Sequence, residues 1–307
     1  MVDAVSGKAR VAAVPEWSPE IVVDEALARR LLSEQFPQLE PVRLRIAGEG
    51  WDNTAWLVDD EWLFRFPRRE VALDGVRREL EVLPLLAPLL PLPIPQPLFV
   101  GEPSAAFPWP FFGGPPVPGR ELAEARLDDE ARAALARQLG AFLRALHGAE
   151  LDLELPVDPL GRADMGFRVR RARERFAELG TTPEGAEDVL DAALALPPPD
   201  RLAVVHGDLH LRHAFVAERR LSGVIDWGDV CRADPAVDLV LVWCALPPAA
   251  RTAFFAEYGP VHEAALLRAR VLSLFLCAVL AIHARHEGLE DVERESLAGL
   301  ERTLAEA

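Results

Sequence analysis

The sequence predicts an α+β protein of two lobes: an N-terminal antiparallel sheet with one main helix, then a mostly helical C-terminal part. Three observations carry this. Residues 42–66 hold apolar/polar alternation broken by turn formers, as half-buried strands do. From Arg120 onward the apolar spacing becomes helical. Between them, residues 84–118 contain a large share of the 27 prolines and cannot form one long helix. A chain of 307 residues, half of them hydrophobic, is long enough for one large or two moderate domains with a sizeable core. Gly113-Gly114-Pro115-Pro116 reads as the linker. The expected division is therefore 1–113, with a loose tail over 1–17, and 114–307.

Taken in order, residues 24–36 place Ala28, Leu31 and Leu32 on one helical face and stop before Pro37. Residues 42–46 alternate strictly and give a first strand, followed by the turn-rich Gly48-Glu-Gly-Trp-Asp-Asn53. Residues 54–58 and 62–66 give two more strands around a tight Asp59-Asp60 turn. Helical spacing returns at 74–86 through Val76, Leu80 and Leu83. Short strands fit 97–100 and 107–112. Helices are expected at 128–147, 168–179, 183–196, 235–243 and from Pro248 onward. A short strand at 202–205 and a hairpin of 214–217 with 223–225 interrupt them.

The formal charge of −16 argues against a nucleic-acid binder or a partner on an anionic membrane surface. The only lysine is Lys8, which excludes a Walker A loop and confines any Schiff-base lysine to the N-terminal tail. Cys231, Cys244 and Cys277 are far apart and form no CxxC pair, so a disulfide framework or a cysteine zinc site is not expected. Residues 1–14 lack a continuous apolar region, and the longest apolar run, near 271–282, looks too short to span a bilayer. The expectation is a soluble cytoplasmic protein.

Polar residues gather in one stretch, His206-Gly207-Asp208-Leu-His210-Leu-Arg212-His213, and again at Ile225-Asp226-Trp227-Gly228-Asp229. A strand delivers a His-Gly-Asp turn, and a second strand delivers another aspartate eighteen residues on. Two carboxylates and a nitrogen ligand near a hairpin can bind hard cations. One carboxylate can stay free to accept a proton from a hydroxyl.

This ordered set resembles the aminoglycoside phosphotransferase family, which has a protein-kinase-like fold. His206-Gly207-Asp208-Leu209-His210, then Ile225-Asp226-Trp227 and Asp234-Pro-Ala-Val-Asp238, carry the resemblance, which extends over most of the chain from Val42. It implies a small-molecule O-phosphotransferase that moves the γ-phosphate of ATP or GTP in line onto a hydroxyl, with Asp208 as catalytic base. Asp226 and His213 match the metal ligands, for Mg²⁺ or Mn²⁺. Gly48, Gly50 and Asn53 match the phosphate-covering loop, and Arg65 and Glu79 the strand–helix ion pair. Phe111 and Phe112 would border the base, over a floor of Phe215 and Ile225. His206 is expected to orient the catalytic loop, and Asp234 and Asp238 to cap the following helix and brace that loop.

Two departures mark the sequence. Arg65 stands where the family has lysine, and its planar fork can still clamp phosphate. His213 stands where the family has asparagine, offering a softer ligand. Both details, with Phe-Pro-Arg-Arg after the third strand, resemble the macrolide phosphotransferase branch. The implied acceptor is a cationic antibiotic-like molecule, an aminoglycoside or a macrolide. The alternatives are a kinase of a housekeeping hydroxyl metabolite and a kinase-fold binding module without turnover. A protein kinase is disfavoured, because few residues separate Asp226 from Pro235. A hydrolase using His206, His210 and His213 on one helix face is disfavoured because Gly207 breaks that helix.

Overall fold

The computed structural model describes residues 18–50 and 52–305; the tail expected over 1–17 lies outside them. The described chain forms two compact units, residues 18–74 with 99–113, and residues 75–98 with 114–305. The chain crosses to the second unit at Gly113–Gly114, where the linker is expected. Residues 75–98, assigned by sequence to the N-terminal lobe, pack with the second unit.

In the first unit, α1 (Glu25–Gln35) starts at Asp24, whose carboxylate accepts from the Leu27 N–H at 2.8 Å. Its face of Ala28, Leu31 and Leu32 is buried. Strands β1 (Leu44–Glu49), β2 (Asn53–Val58), β3 (Trp62–Pro67), β4 (Phe99–Gly101) and β5 (Phe111–Gly114) form one sheet in the order β1-β2-β3-β5-β4. Asp59 and Asp60 both adopt positive φ, at 52° and 57°, in the three-residue connection that pairs Val58 with Trp62. Alternation in β3 sends Phe64 and Phe66 inward and leaves Arg65 half-exposed. The core is aromatic: Phe66 stacks on Phe111 at 4.6 Å, and Phe36, Phe64, Phe99 and Phe107 close around them.

Helix α2 (Leu73–Leu86) runs into the second unit, where helices α3 (Asp129–His147), α4 (Met165–Leu179), α5 (Ala186–Ala193), α6 (Val240–Ala245), α7 (Pro248–Tyr258), α8 (Glu263–Glu287) and α9 (Glu290–Leu304) surround two small sheets. One sheet joins β6 (Arg120–Glu121), β8 (Ala214–Ala217) and β9 (Arg220–Val224). The other pairs β7 (Ala203–Val205) with β10 (Cys231–Ala233). Helix α8 is long and apolar enough to cross a membrane by length and composition, contrary to the sequence expectation, because its helix continues past the apolar run at both ends. Its most apolar stretch is 61% buried, against α4, α5, α6 and α9. Two buried ion pairs brace this unit, Arg132–Glu295 at 2.7 Å and Arg268–Asp234 at 3.0 Å. The expected helix over 235–243 is broken instead. A 3₁₀ turn (Pro235–Val237) precedes α6, and the Asp234 carboxylate caps it by accepting from the Ala236 N–H.

Candidate active site

Strand β7 ends at Val205 and hands the chain to the turn His206-Gly207-Asp208. That turn hangs on Asp238, which is fully buried. One carboxylate oxygen accepts from the His206 N–H at 2.7 Å and from His147 Nε2 at 3.0 Å. The other accepts from the Gly207 N–H at 3.1 Å. His147 Nδ1 in turn meets the Tyr258 hydroxyl at 2.7 Å. Burial raises the proton affinity of Asp238, but the His147 contact and the donors around it outweigh that, and its pKa lies below the ordinary range. Gly207 has φ +90°, and a Cβ there would meet the Asp229 carbonyl oxygen at 2.3 Å, so the turn requires glycine.

His206 is buried and links the two loops. Its Nε2 donates to the Ile225 carbonyl at 2.9 Å, and its Nδ1 accepts from the Asp208 N–H at 3.2 Å. The network thus assigns the neutral tautomer, and burial lowers its pKa accordingly. This is the orienting role expected from sequence.

Asp226 follows β9 and adopts φ 66°, in the left-handed region that aspartate tolerates better than most side chains. The next residue, Trp227, is fully buried, and its N–H donates to the carboxylate of buried Glu79 at 3.0 Å. Glu79 thereby ties α2 to the loop that carries Asp226.

His213 stands between the two aspartates. Its Nδ1 donates to the Asp208 carbonyl at 2.7 Å, and its Nε2 faces Asp226 Oδ2 at 3.5 Å. With Nδ1 committed to the Asp208 carbonyl, His213 Nε2 and Asp226 Oδ2 are the two atoms that could hold a cation between the loops. The donor set of one carboxylate and one imidazole fits Mn²⁺ and, less well, Mg²⁺. Asp208 Oδ2, His210 and His213 also lie close enough together to suggest a second set of metal ligands. The His210 and His213 rings stack at 3.8 Å with only 30° between their planes. Lone pairs in nearly parallel planes do not converge on one ion. His210 is buried, and that burial holds its pKa well below the usual value.

Asp208 is about one-third exposed. Phe215 and Ile225 are half-buried. Sequence reasoning missed Arg162, whose Nη2 lies 2.5 Å from Asp229 Oδ2 and 3.9 Å from Asp208 Oδ1. No periodicity or motif marks that residue.

In the first unit, the loop after β1 is tightly closed, with the Gly50 N–H donating to the Asn53 carbonyl at 2.9 Å. A Cβ at Gly48 would meet nothing within 4 Å, so the glycine leaves open space there. Arg68, also unassigned from sequence, donates to the Gly50 carbonyl at 2.7 Å, and Arg69 pairs with Asp52. The Arg65 guanidinium lies 5.3 Å from the Phe112 ring centroid. Phe111 and Phe112 are both buried, and the Phe111 side chain is consumed by the aromatic core.

The fold and these motifs define a class. The chain belongs to the phosphotransferase enzyme family, whose model matches residues 43–271, and it has the kinase-like aminoglycoside phosphotransferase fold. It is a phosphotransferase with an alcohol group as acceptor. Among curated relatives, viomycin phosphotransferase of Streptomyces vinaceus is 29% identical over 245 residues, covering 76% of this chain and 85% of that protein. Among solved structures, the GDP complex of aminoglycoside 2′-phosphotransferase-IIIa aligns with a TM-score of 0.70 and 25% identity, over 92% of this chain and 98% of that one. The macrolide 2′-phosphotransferase of Brachybacterium faecium shares the fold at a TM-score of 0.61 and 21% identity, over 90% of this chain and 97% of that one.

Proposed function

We propose that this protein transfers the γ-phosphoryl group of GTP or ATP to a hydroxyl of a cationic antibiotic, with Asp208 as base. The observation that carries the reading is the arrangement of Asp208, His213 and Asp226 on two loops tied together by His206, with Glu79 of α2 holding the loop that carries Asp226. Asp208 ends a turn fixed by Asp238 and keeps an exposed carboxylate, as a group that must receive a proton from a bound hydroxyl needs. The hydroxyl oxygen attacks the γ-phosphorus, the bond to the β-phosphate oxygen breaks, and the proton passes to Asp208. Asp226 and His213 would hold Mg²⁺ or Mn²⁺, which when bound neutralises charge on the nucleotide phosphates. By the motif match alone, Gly48, Gly50, Asn53 and Arg65 would serve the phosphates, and Phe215 and Ile225 the base. Phe112 serves by backing Arg65, and Phe111 by filling the core beneath the strand rather than by touching the base.

The nucleotide is an open choice between GTP and ATP. Solved relatives include complexes with GDP and with ATP and streptomycin. The acceptor class follows the relatives, which include a viomycin phosphotransferase and a kanamycin complex. A net charge of −16 suits a cationic acceptor. The test is a coupled turnover screen of viomycin, kanamycin and a macrolide with GTP and with ATP, under Mg²⁺ and under Mn²⁺. Phosphorylation of at least one cationic antibiotic is expected. Binding of nucleotide without transfer to any acceptor would leave the binding-module reading in its place.

A further inference from the structure

Arg162 lies between residue 157, which bridges to Arg232, and helix α4. Its loop is locally built. The Asp158 carboxylate accepts from the Arg162 N–H at 2.7 Å and from the Ala163 N–H at 2.9 Å, and Gly161 turns at φ +54°. The result aims a guanidinium inward. The side chain is 12% exposed, Nη2 sits on Asp229, and Nη1 is buried with no side-chain or main-chain partner. A buried arginine with one nitrogen unsatisfied is costly to folding, so stability alone does not explain it. Burial lowers its pKa, but Asp229 and then Asp208 more than reverse this, and it stays a permanent cation.

The Asp208 carboxylate needs such a cation. Around it stand His210 Nε2 at 3.6 Å, His213 Nδ1 at 3.8 Å and Arg162 Nη2 at 3.9 Å, all beyond hydrogen-bonding distance. His210 is stacked on the His213 ring, and the His213 Nδ1 proton is committed to a carbonyl. The orientation of Asp208 is therefore left to the electrostatic field, and Arg162 supplies a full positive charge to it.

We propose that Arg162 is a positioning residue for phosphoryl transfer: anchored on Asp229, its guanidinium holds the Asp208 carboxylate in the orientation that receives the acceptor proton. This rests on Asp208 being the base. Asp229 then acts as the counter-anchor that keeps Arg162 from collapsing onto Asp208 and blocking it.

The test uses the full chain and whichever antibiotic the wild type phosphorylates. Arg162→Ala is expected to lower kcat about 10²-fold, as a misplaced reacting group does. KM for nucleotide should stay within about two-fold. Millimolar guanidinium chloride should restore part of the rate, and Arg162→Lys should give an intermediate rate, since an ammonium keeps the charge but not the planar fork that sets its distance from Asp208. In the Arg162→Ala background, Asp229→Asn should cost little more. Unchanged kcat in a folded Arg162→Ala protein overturns the proposal, as does a loss that guanidinium does not rescue. Where Arg162→Ala fails to fold, Arg162→Lys carries the same comparison. If the wild type phosphorylates nothing, the proposed function fails, and Arg162 is tested by melting alone. The midpoint losses of Arg162→Ala and Asp208→Asn should then be non-additive by about 1–3 °C, and additive losses overturn the link.

Discussion

Asp238 is the point from which the catalytic turn hangs, and its removal gives a prediction of calculable size. The carboxylate is fully buried and accepts from the His206 N–H at 2.7 Å, the Gly207 N–H at 3.1 Å and His147 Nε2 at 3.0 Å. A hydrogen bond to a charged group contributes about 1.5–3 kcal/mol, and the donors left behind have no water to turn to. Asp238→Asn keeps the shape but sets an amide N–H₂ against one of the main-chain N–H groups. Asp238→Ala strands all three donors. Breaking a buried charged network in this way costs about 3–5 kcal/mol, and both variants should fall in or near that range. Urea unfolding at pH 7, followed by far-UV circular dichroism, measures it. The folded-state pKa of Asp238 is depressed, so its contribution is present above the unfolded value of about 3.9 and is lost as pH falls through the folded value. The gap between wild type and Asp238→Asn should therefore narrow in acid. A loss below about 1 kcal/mol at pH 7 would refute the bracing role, since that is the size of one ordinary neutral hydrogen bond.

Two further outcomes follow from the same geometry. His206 and His210 are held neutral by burial, so the unfolded chain takes up protons that the folded chain refuses. Stability is full above about pH 6.5 and falls as pH drops below it; thermal midpoints between pH 8 and pH 5 should show that slope, and it should flatten in His210→Phe. In the first unit, Arg68 closes the glycine-containing loop through the Gly50 carbonyl. Arg68→Ala should raise KM for nucleotide about 2–10-fold with little change in kcat, the size of one hydrogen bond lost from loop closure; steady-state kinetics with GTP and ATP would show whether it does.

Much of the fold was legible because local chemistry and periodicity agree. Asp24 and Asp128 each cap a helix whose apolar spacing is visible in the sequence, and Asp59-Asp60 falls in the turn between two alternating strands. The 206–213 stretch and Asp226 were legible because they keep the order of the family's motifs, and the structure brings Asp208, His213 and Asp226 together. The bracing role of Asp238 followed from the same pattern. Strands β6 and β10, of two and three residues, carry too few positions for a period to show. Arg162 was invisible for another reason. Its partner Asp229 lies 67 residues away, and only the packed fold makes them neighbours. The depth at which Phe111 lies is likewise tertiary: a Phe-Phe pair does not say which ring faces the core.

The central claim is that Asp208 receives the acceptor proton during transfer. Phosphate transfer from γ-labelled GTP and ATP should be compared between wild type and Asp208→Asn, alongside nucleotide affinity by isothermal titration. Because His206 and Asp238 hold the turn without help from the Asp208 side chain, affinity should be unchanged. The rate should fall by about 10²–10⁴-fold, the contribution of a general base. Transfer at the wild-type rate in a folded, nucleotide-binding Asp208→Asn protein would contradict the account.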